Sequence, residues 1–285
     1  GLDSTVLLHA ASRLVGDLGF RLFSLHVNHG LSPNADSWAS SCARLCEDLG
    51  VQFEVARVDV PRDTREGLES AARRLRHQAL LEHQADWILL AHHADDQAET
   101  VLHNLLRGAG VRGAAAMPVS RGRILRPLLG LGRSVLQEYA KAHGLMWSED
   151  ESNADCRYTR NFLRHEVLPV VTSRFPNAGE QLAAAAARFG EADALLDELA
   201  ALDLRDHRPE FPLPLKLFRD VSAIRARNLL RSLLNAHAVQ SPDERRLGEF
   251  VRQVMTTGND RHPRLDLAGY ALWCADGKLH FRRTT

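Results

Sequence analysis

The chain has 285 residues, 45% of them hydrophobic and 25% charged, and its 36 basic residues balance its 36 acidic residues. This composition is typical of folded globular proteins and excludes an intrinsically disordered chain or a coiled coil. No run approaches the roughly 20 apolar residues that a membrane-spanning helix needs, so we expect no membrane association. The four cysteines form no C-x-x-C pair, which favours a reduced, cytoplasmic protein over a disulfide-stabilised one.

Helix and strand patterns alternate over the first 170 residues. Apolar residues recur at helical spacing in 3–15, 34–49, 67–84, 94–106 and 132–143, and strand patterns occupy 20–28, 51–60 and 87–91. This alternation predicts an α/β fold with a parallel, Rossmann-like sheet covered by helices on both faces. No strand pattern precedes the first helix, so we expect the chain to begin just after a first strand.

The rest of the chain is predicted to be mainly helical. An alanine-rich helix is expected over 178–205, and the prolines that follow it mark the boundary of a second unit with helices at 221–236 and 243–255 and a strand-like end. The predicted parts are an α/β domain at 1–175, a helical connector at 176–210 and a smaller domain at 211–285. Residues 1–210 carry a net charge of −6 and residues 211–285 one of +6, and a basic domain suits a polyanionic partner.

The segment GLDST opens the first helix. A glycine lets the backbone approach a phosphate closely, and the N–H groups of a first helical turn attract anions. We therefore expect Gly1, Leu2, Asp3 and Ser4 to lie beside phosphate groups, with Ser4 donating its hydroxyl and Asp3 holding Mg²⁺. A simple helix cap is the alternative for Asp3 and Ser4.

GLDST is similar to the S-G-G-x-D-S loop of the N-type ATP pyrophosphatases, without its leading Ser-Gly. Further motifs follow in order: HVNHGL at 26–31, ESAARRLR at 69–76, LLAHHADDQAETVLHNLLRGAG at 89–110, RPLL at 126–129, WSEDESN at 147–153 and TRNFLR at 159–164. The series resembles the tRNA(Ile)-lysidine synthetase family over about 1–170. One departure is His77, where the family pattern has a tyrosine. The resemblance implies that ATP and Mg²⁺ are used to ligate L-lysine to the wobble cytidine of tRNA(Ile) with a CAU anticodon, through an adenylated tRNA.

The HHADDQAET segment is the most chemically loaded part of the chain. Asp96 and Glu99 are three residues apart on a predicted helix, so their carboxylates share one face. Two carboxylates near a phosphate loop suit a metal ion or an ammonium group, although acidic residues are also common in a first helical turn. The resemblance implies that Asp96 and Glu99 bind lysine, with Asp96 also catalytic. His92 and His93 lack a third ligand at zinc spacing, and we expect polar contacts at a strand end.

The nucleotide pocket is predicted at the ends of parallel strands, where open α/β sheets bind ligands. We expect His26, Val27 and Asn28 of HVNHGL to contact the adenosine, together with His92. Arg76, on the following helix, is expected to contact ATP, with a solvated helix arginine as the alternative.

Arginines are predicted to hold phosphate groups and RNA, because the planar guanidinium binds phosphate through two hydrogen bonds. Arg160 and Arg164 are four residues apart on one helix face and suit phosphate or the activated intermediate. We assign Arg164 to catalysis and Arg160 to tRNA. Residues 101–133 hold six arginines and no acidic residue, and Arg107 and Arg112 in the glycine loop are expected to contact tRNA.

Three other functions remain open from the sequence. A tRNA 2-thiocytidine synthetase would need the paired cysteines that are missing here. A small-molecule amide synthetase of the same loop class fits the basic segments less well. A non-catalytic RNA-binding module would bind RNA but release no pyrophosphate from ATP. The sequence leaves open whether the protein is a homodimer.

Overall fold

The computed structural model describes residues 1–61, 63, 67–149, 155–256 and 262–284. The chain forms two compact units, Gly1–Gly190 and Glu191–Thr285, divided within one long helix. In the described ranges, no helix combines the length and the apolar character needed to cross a bilayer. Positions 150–153 of the WSEDESN motif lie outside the described residues.

Helices alternate with short strands in the first unit. Its helices are α1 (Leu2–Leu18), α2 (Ala35–Asp48), α3 (Leu68–Glu82), α4 (Ala94–Leu106), α5 (Val111–Ala114), α6 (Arg133–Ala142), α7 (Thr159–Phe162), a π-helix (Leu163–Val167) and α8 (Leu168–Arg174), and α9 (Ala178–Leu204) begins here. Its strands are β1 (Phe23–Asn28), β2 (Gln52–Arg57), β3 (Ile88–Leu89), β4 (Ser120–Arg121) and β5 (Ile124–Leu125). The predicted helices and strands match these elements to within a few residues.

The strands of the first unit pair mainly in parallel, as predicted. β1 pairs with β2 from Phe23 opposite Gln52 to Asn28 opposite Arg57. β3 pairs in parallel with β5, and β4 adds an antiparallel strand to β5. The sequence pattern missed this β4–β5 hairpin because each strand has only two residues, which is too short for a period to emerge.

The packing of α1 positions the start of the chain. Leu2 and Val6 are buried against Leu128 and Leu136, which fixes α1 against α6. α1 ends at Leu18 because Gly19 adopts a left-handed backbone, with φ of 67°. A cleft of about 3170 Å³ is lined by α1, β1, α3 and β3. The N-terminus of α1 therefore lies on a cavity that also receives the ends of two parallel strands.

The second unit packs helices against an antiparallel sheet. Its elements are the end of α9, β6 (Leu213–Pro214), α10 (Lys216–Arg219), α11 (Ala223–Ala236), α12 (Glu244–Thr256), β7 (Arg264–Leu267), β8 (Tyr270–Ala275) and β9 (Lys278–Arg283). The sheet order is β6-β9-β8-β7, with antiparallel pairs throughout. The unit thus has more helical than strand residues, as predicted, and its strand-like end forms three strands of a four-stranded sheet whose fourth strand is β6.

One continuous apolar core holds the second unit together. Leu229 and Leu233 of α11, Leu247 of α12 and Leu272 of β8 are all at most 1% exposed. Ser222 caps α11 by accepting a hydrogen bond from the backbone N–H of Arg225. This core lies on the inner face of the sheet, and the opposite face carries exposed and half-buried side chains beside the buried Ala271.

Candidate active site

The N-terminus of α1 forms one end of the site. Gly1 is the N-cap residue and makes no side-chain capping hydrogen bond, so the first helical turn is not closed by a side chain. Leu2 is buried, Asp3 is half-buried and Ser4 is exposed, and all line the cleft. Leu2 therefore anchors the helix through its side chain, while the backbone and the polar side chains face the cavity.

His93 connects this helix terminus to α4. Its Nδ1 accepts a hydrogen bond from the backbone N–H of Asp95 at 3.2 Å, and the Asp96 carboxylate accepts one from the His93 N–H at 3.1 Å. This reciprocal capping box assigns the imidazole proton to Nε2. Nε2 then lies 3.7 Å from Asp3 Oδ2 and 3.5 Å from Asp96 Oδ2. The imidazole is thus flanked by two carboxylates from different helices, a role that the sequence did not reveal.

The negative charge of the Asp3 carboxylate is only partly balanced by its neighbours. Burial raises its pKa above the usual value, although His93 and Arg133 act in the opposite direction. Its Oδ1 is buried and has no hydrogen-bond partner, while Arg133 Nε lies 3.9 Å away. A buried oxygen without a partner is suited to a cation, and the Mg²⁺ site expected at Asp3 stays a prediction. Arg133 was noted in the sequence only as part of a basic segment.

Four charged side chains form a cluster at the other end of the site, which we call the charge cluster: Asp96, Glu99, Arg160 and Arg164. Arg164 Nε donates to Glu99 Oε1 at 2.5 Å and its Nη2 to Asp96 Oδ1 at 2.9 Å. Arg160 Nε donates to Glu99 Oε2 at 2.8 Å and its Nη2 to Asp96 Oδ1 at 3.1 Å. The Glu99 side chain is only 1% exposed. The two arginines therefore donate the hydrogen bonds that water would give to an exposed carboxylate.

Local structure explains why these four residues meet. Asp96 and Glu99 lie one turn apart on α4, whose capping box fixes its first turn. Arg160 lies on α7 and Arg164 in the π-helix that continues it. The predicted shared face of the arginines is confirmed, because both reach the same pair of carboxylates. The wider π turn is a feature that often accompanies functional sites.

The electrostatics of the charge cluster follow from burial and pairing. Burial alone would raise the pKa of Asp96, but His93, Arg160 and the His93 backbone N–H outweigh it and leave the pKa below the usual range. Burial opposes the charge on Arg164, but its hydrogen bond to Glu99 and the nearby carboxylates raise its pKa. Two carboxylates and two guanidiniums give a net charge of zero, so the cluster is satisfied as it stands.

His92 follows β3 and is held neutral. Burial lowers its pKa to about 4, with Arg126 and other arginines adding to that shift and Asp96 opposing it. Its Nδ1 accepts a hydrogen bond from Arg126 Nε at 3.3 Å, and Arg126 also donates to the Pro118 carbonyl at 2.8 Å. His92 lines the cleft, where its predicted contact with ATP stays a prediction.

The predicted adenosine residues lie along β1. His26 and Val27 are half-buried and line the cleft. Asn28 is buried and satisfied locally, because its Nδ2 donates to Asp36 at 3.0 Å and its Oδ1 accepts from the Gly30 N–H at 2.9 Å. Arg76 is exposed on α3 and lines the same cleft. The structure therefore assigns Asn28 a part in shaping the loop after β1, and the adenosine contacts remain predictions.

The arginines of 101–133 have different roles. Arg107 is exposed at the end of α4, and Arg112 is half-buried in α5. Arg123 Nη1 donates to the Ala85 carbonyl at 2.7 Å and so helps to close the end of α3. The predicted RNA contacts of Arg107 and Arg112 stay predictions, whereas Arg123 and Arg126 are bound to the protein itself.

Arg160, for which we predict a contact with tRNA, lies in the charge cluster. Its side chain is 24% exposed and its guanidinium contacts both carboxylates of the charge cluster. Any contact with tRNA would have to compete with these ion pairs.

Among the described residues, no group of three or more metal-ligating side chains is assembled, so a metal at Asp3 would take its other ligands from substrate and water.

Comparison with known proteins finds matches to two family models in this chain. A family model described as the PP-loop domain matches residues 1–171, and one described as the TilS substrate binding domain matches residues 213–280. The chain is 48% identical over 282 residues to a protein named tRNA(Ile)-lysidine synthase from Azoarcus sp., covering 96% of this chain and 61% of that protein. It is 50% identical over 261 residues to one of the same name from Aromatoleum aromaticum, covering 90% and 61%. The chain thus spans about three fifths of the length of these relatives.

A solved structure has a similar fold. It is the U34-tRNA thiolase NcsA from Methanococcus maripaludis with its [4Fe-4S] cluster, which matches with a TM-score of 0.56 at 15% identity and covers 67% of this chain and 69% of its own. At this identity the likeness concerns the fold alone.

Proposed function

This chain belongs to the PP-loop family, and on that premise we propose that it ligates L-lysine to the wobble cytidine of tRNA(Ile) with a CAU anticodon, converting ATP to AMP and pyrophosphate. The observation that carries the proposal is the position of His93 Nε2, 3.7 Å from Asp3 and 3.5 Å from Asp96. This juxtaposition puts a helix terminus suited to phosphate in the same cleft as the Asp96 carboxylate, which is suited to an ammonium group. The names of the relatives support the substrate.

In the first proposed step, the cytosine O2 attacks the α-phosphorus of ATP and pyrophosphate leaves. The first-turn N–H groups of α1 attract the phosphates, and Ser4 is exposed to donate its hydroxyl. Arg133 lies beside Asp3 and adds a positive charge at the same end. His26 and Val27 would line the adenosine side of the cleft, with His92 as a neutral donor and Arg76 as a phosphate contact.

The residues at this end also fit Mg²⁺. Asp3 Oδ1 is the buried oxygen without a hydrogen-bond partner, and Mg²⁺ is commonly held by one or two carboxylates together with substrate phosphates. When bound there, the ion would neutralise charge on the phosphates. Asp3 would hold it, and His93 would keep the Asp3 carboxylate oriented.

In the second proposed step, the ε-amine of lysine attacks C2 of the adenylated cytidine and AMP leaves. Asp96 and Glu99 would hold the α-ammonium group, which leaves the ε-amine to reach the reacting carbon. The charge cluster is already neutral, so a bound ammonium group needs an arginine to give way. Arg164 is 33% exposed, against 24% for Arg160, and its pKa responds to Asp3 as well as to Glu99. We therefore propose that Arg164 is the arginine that releases the two carboxylates and binds phosphate when lysine binds.

The other proposed contacts concern tRNA. The target base must leave its stack, which costs less in an anticodon loop than in a duplex. Exposed Arg107 and half-buried Arg112 would hold the RNA near the cleft. We propose catalysis in 1–175, a connector at 176–210 and tRNA binding in 211–285, in the cytoplasm where tRNA and ATP meet.

The activity is tested by incubating the protein with ATP, Mg²⁺, labelled lysine and a tRNA(Ile) transcript with a CAU anticodon. We expect label in the tRNA and release of one AMP and one pyrophosphate per lysine. A transcript with uridine at the wobble position is the matched control and should gain no lysine. Equal labelling of both transcripts, or none of either, would contradict the proposal.

The lysine site is tested separately with Glu99→Gln. Losing one charge-assisted hydrogen bond of about 1.5–3 kcal/mol should raise the lysine KM by roughly 10- to 150-fold. Adenylated tRNA should still accumulate when lysine is omitted. Glu138→Gln, at an exposed position on α6, is the matched control. If Glu99→Gln is folded by circular dichroism yet forms no adenylated tRNA, the carboxylates serve the first step instead.

A further inference from the structure

The solvent face of the second unit's sheet has an unusual composition. Side chains alternate between the two faces of a strand, and the inner face carries the apolar core. The opposite face, which we call the outer face, carries Arg264, Asp266, Trp273, Lys278, His280 and Arg282. An aromatic pair surrounded by cations is not needed to fill a core, because the core lies on the other side.

Trp273 is at the centre of the outer face. It pairs across the strands with His280, and the two rings are stacked with centroids 5.2 Å apart and planes inclined by 12°. The guanidinium carbon of Arg282 lies 5.8 Å from the Trp273 ring centroid. Trp273 and His280 remain half-buried and Arg282 is exposed. The two stacked rings are therefore partly open to solvent, and an exposed planar cation lies over the indole.

The charges of the outer face are predominantly positive. Arg264 is neutralised by Asp266, with three hydrogen bonds of 2.8–3.1 Å between them. Within the described ranges, no carboxylate lies within 4.0 Å of the charged group of Lys278 or Arg282. Besides Arg264, Arg282 is still close enough to lower the pKa of Asp266. The face thus combines an aromatic stack with two cations that make no direct ion pair.

We propose that the outer face binds unpaired RNA nucleotides, with a base stacked on the Trp273–His280 pair and neighbouring phosphates on Lys278 and Arg282. Aromatic platforms beside cations suit single-stranded nucleic acid, because every base has a π face and every nucleotide a phosphate. An acidic peptide would use the cations but not the rings. The inference rests on the proposed function, which makes RNA the substrate, and it assigns to this sheet a contact outside the catalytic unit.

A purely structural role predicts different behaviour. Cross-strand pairs of this kind also stabilise a sheet directly. If that were the only role of Trp273, replacing it would lower the melting temperature without changing affinity for RNA. Replacing the exposed Arg282 would then change neither the melting temperature nor the affinity for RNA.

The experiment measures binding of a fluorescent tRNA(Ile) transcript with a CAU anticodon to the full chain, by anisotropy at several KCl concentrations. Trp273→Ala should raise Kd by between about 5- and 150-fold, the equivalent of about 1–3 kcal/mol, and Trp273→Phe by much less. Arg282→Ala and Lys278→Ala should each raise Kd several-fold and reduce the slope of log Kd against log salt by about 1.

Arg245→Ala is the matched control. Arg245 is exposed on α12, whose apolar face packs in the core on the inner side of the sheet. The substitution therefore removes one positive charge away from the outer face and should change Kd by less than 2-fold. Equal effects of Arg245→Ala and Arg282→Ala would overturn the proposal. Wild-type affinity in Trp273→Ala would do the same, as would competition by polyglutamate equal to that by oligouridylate.

Melting temperatures show whether each variant is folded, and Trp273→Phe keeps an aromatic ring if Trp273→Ala unfolds.

Different results would contradict the outer-face proposal and the proposed function. If the wild-type chain binds tRNA and the outer-face variants bind equally well, only the outer face is wrong. If the wild-type chain binds no tRNA, the proposed function fails as well.

Discussion

Both units bury apolar side chains, but they differ in how many charged side chains they bury among the described residues. In the first unit His93, Asp96, Glu99 and Arg126 are all at most 8% exposed. In the described part of the second unit the buried charge is Asp203, and its apolar core is continuous. Buried charges cost free energy unless they are paired, whereas apolar burial stabilises directly. In the first unit, the buried charges of the site therefore lower the free energy of unfolding unless they are paired. In the second unit, apolar burial raises the free energy of unfolding, and binding is left to surface side chains.

The largest expected effect comes from removing the negative charge of Asp3 in the first unit. Asp3→Asn should lower ATP–pyrophosphate turnover by at least about 100-fold, as for the loss of a group that stabilises transition-state charge. Because burial raises the pKa of Asp3, its ionised form opposes folding, and the melting temperature should hold or rise. Asp17→Asn, exposed near the other end of α1, is the control. Normal turnover in Asp3→Asn would exclude the proposed cation role.

The apolar core of the second unit is tested with Leu229→Ala. Leu229 is fully buried, and such truncations cost about 2–5 kcal/mol of unfolding free energy. Hydrogen exchange should accelerate in α11 and α12, with α4 unchanged if the units unfold separately. Ile224→Ala, on the same helix at a position that is 71% exposed, should cost less than about 0.5 kcal/mol. Equal costs at the two positions would contradict the contrast between the units.

The buried polar interior of the first unit should also make stability depend on pH. The pKa of His92 is about 4 in the folded protein, against a usual value of 6.5, so the unfolded chain binds more protons between these values. The resulting stability is fully present above about pH 6.5 and is lost as the pH falls towards 4, by up to about 3 kcal/mol.

The measurement is the free energy of unfolding in urea at pH 4.5, 5.5 and 7. His92→Asn retains a hydrogen-bond acceptor for Arg126 but cannot titrate, so its profile should be flatter than that of the wild type. Parallel profiles for the two proteins would show that His92 does not titrate with folding.

The smallest expected effect separates structural from RNA-binding arginines. Arg123→Ala removes hydrogen bonds to carbonyls at the end of α3, and should lower the unfolding free energy by about 1 kcal/mol with little change in RNA affinity. Arg107→Ala should do the reverse, weakening tRNA binding several-fold at low salt. Identical effects of the two variants on affinity would mean that the basic segment acts only through its total charge.

Local patterns predicted the elements and some of the site. The helix over 94–106 and the strand ending at Asn28 agree with α4 and β1 because amphipathic spacing persists over many residues. The pairing of Asp96 with Glu99 and of Arg160 with Arg164 on shared faces follows from helical periodicity. The short β4–β5 hairpin carried too few residues to show a period.

Roles that depend on distant partners could not be predicted in the same way. His93 became a capping residue facing Asp3 because α1 and α4 meet at their N-termini, 90 residues apart in the chain. The tRNA contact expected of Arg160 stays a prediction, and only the structure shows that α7 brings its guanidinium to the carboxylates of α4. A side chain's chemistry can be read from its identity, whereas its partner depends on which helices are packed together.

The sequence by itself determined the order of helices and strands, the phosphate-loop motif and the family, because these depend on residue types at fixed short spacings. The tertiary structure alone decided that Asp96 and Glu99 are neutralised by Arg160 and Arg164 and that Trp273 lies on a basic sheet face. Ion pairing acts over a few ångströms in space. The packing of α7 against α4 brings together charged groups 61 residues apart in the chain, which leaves no trace in local periodicity.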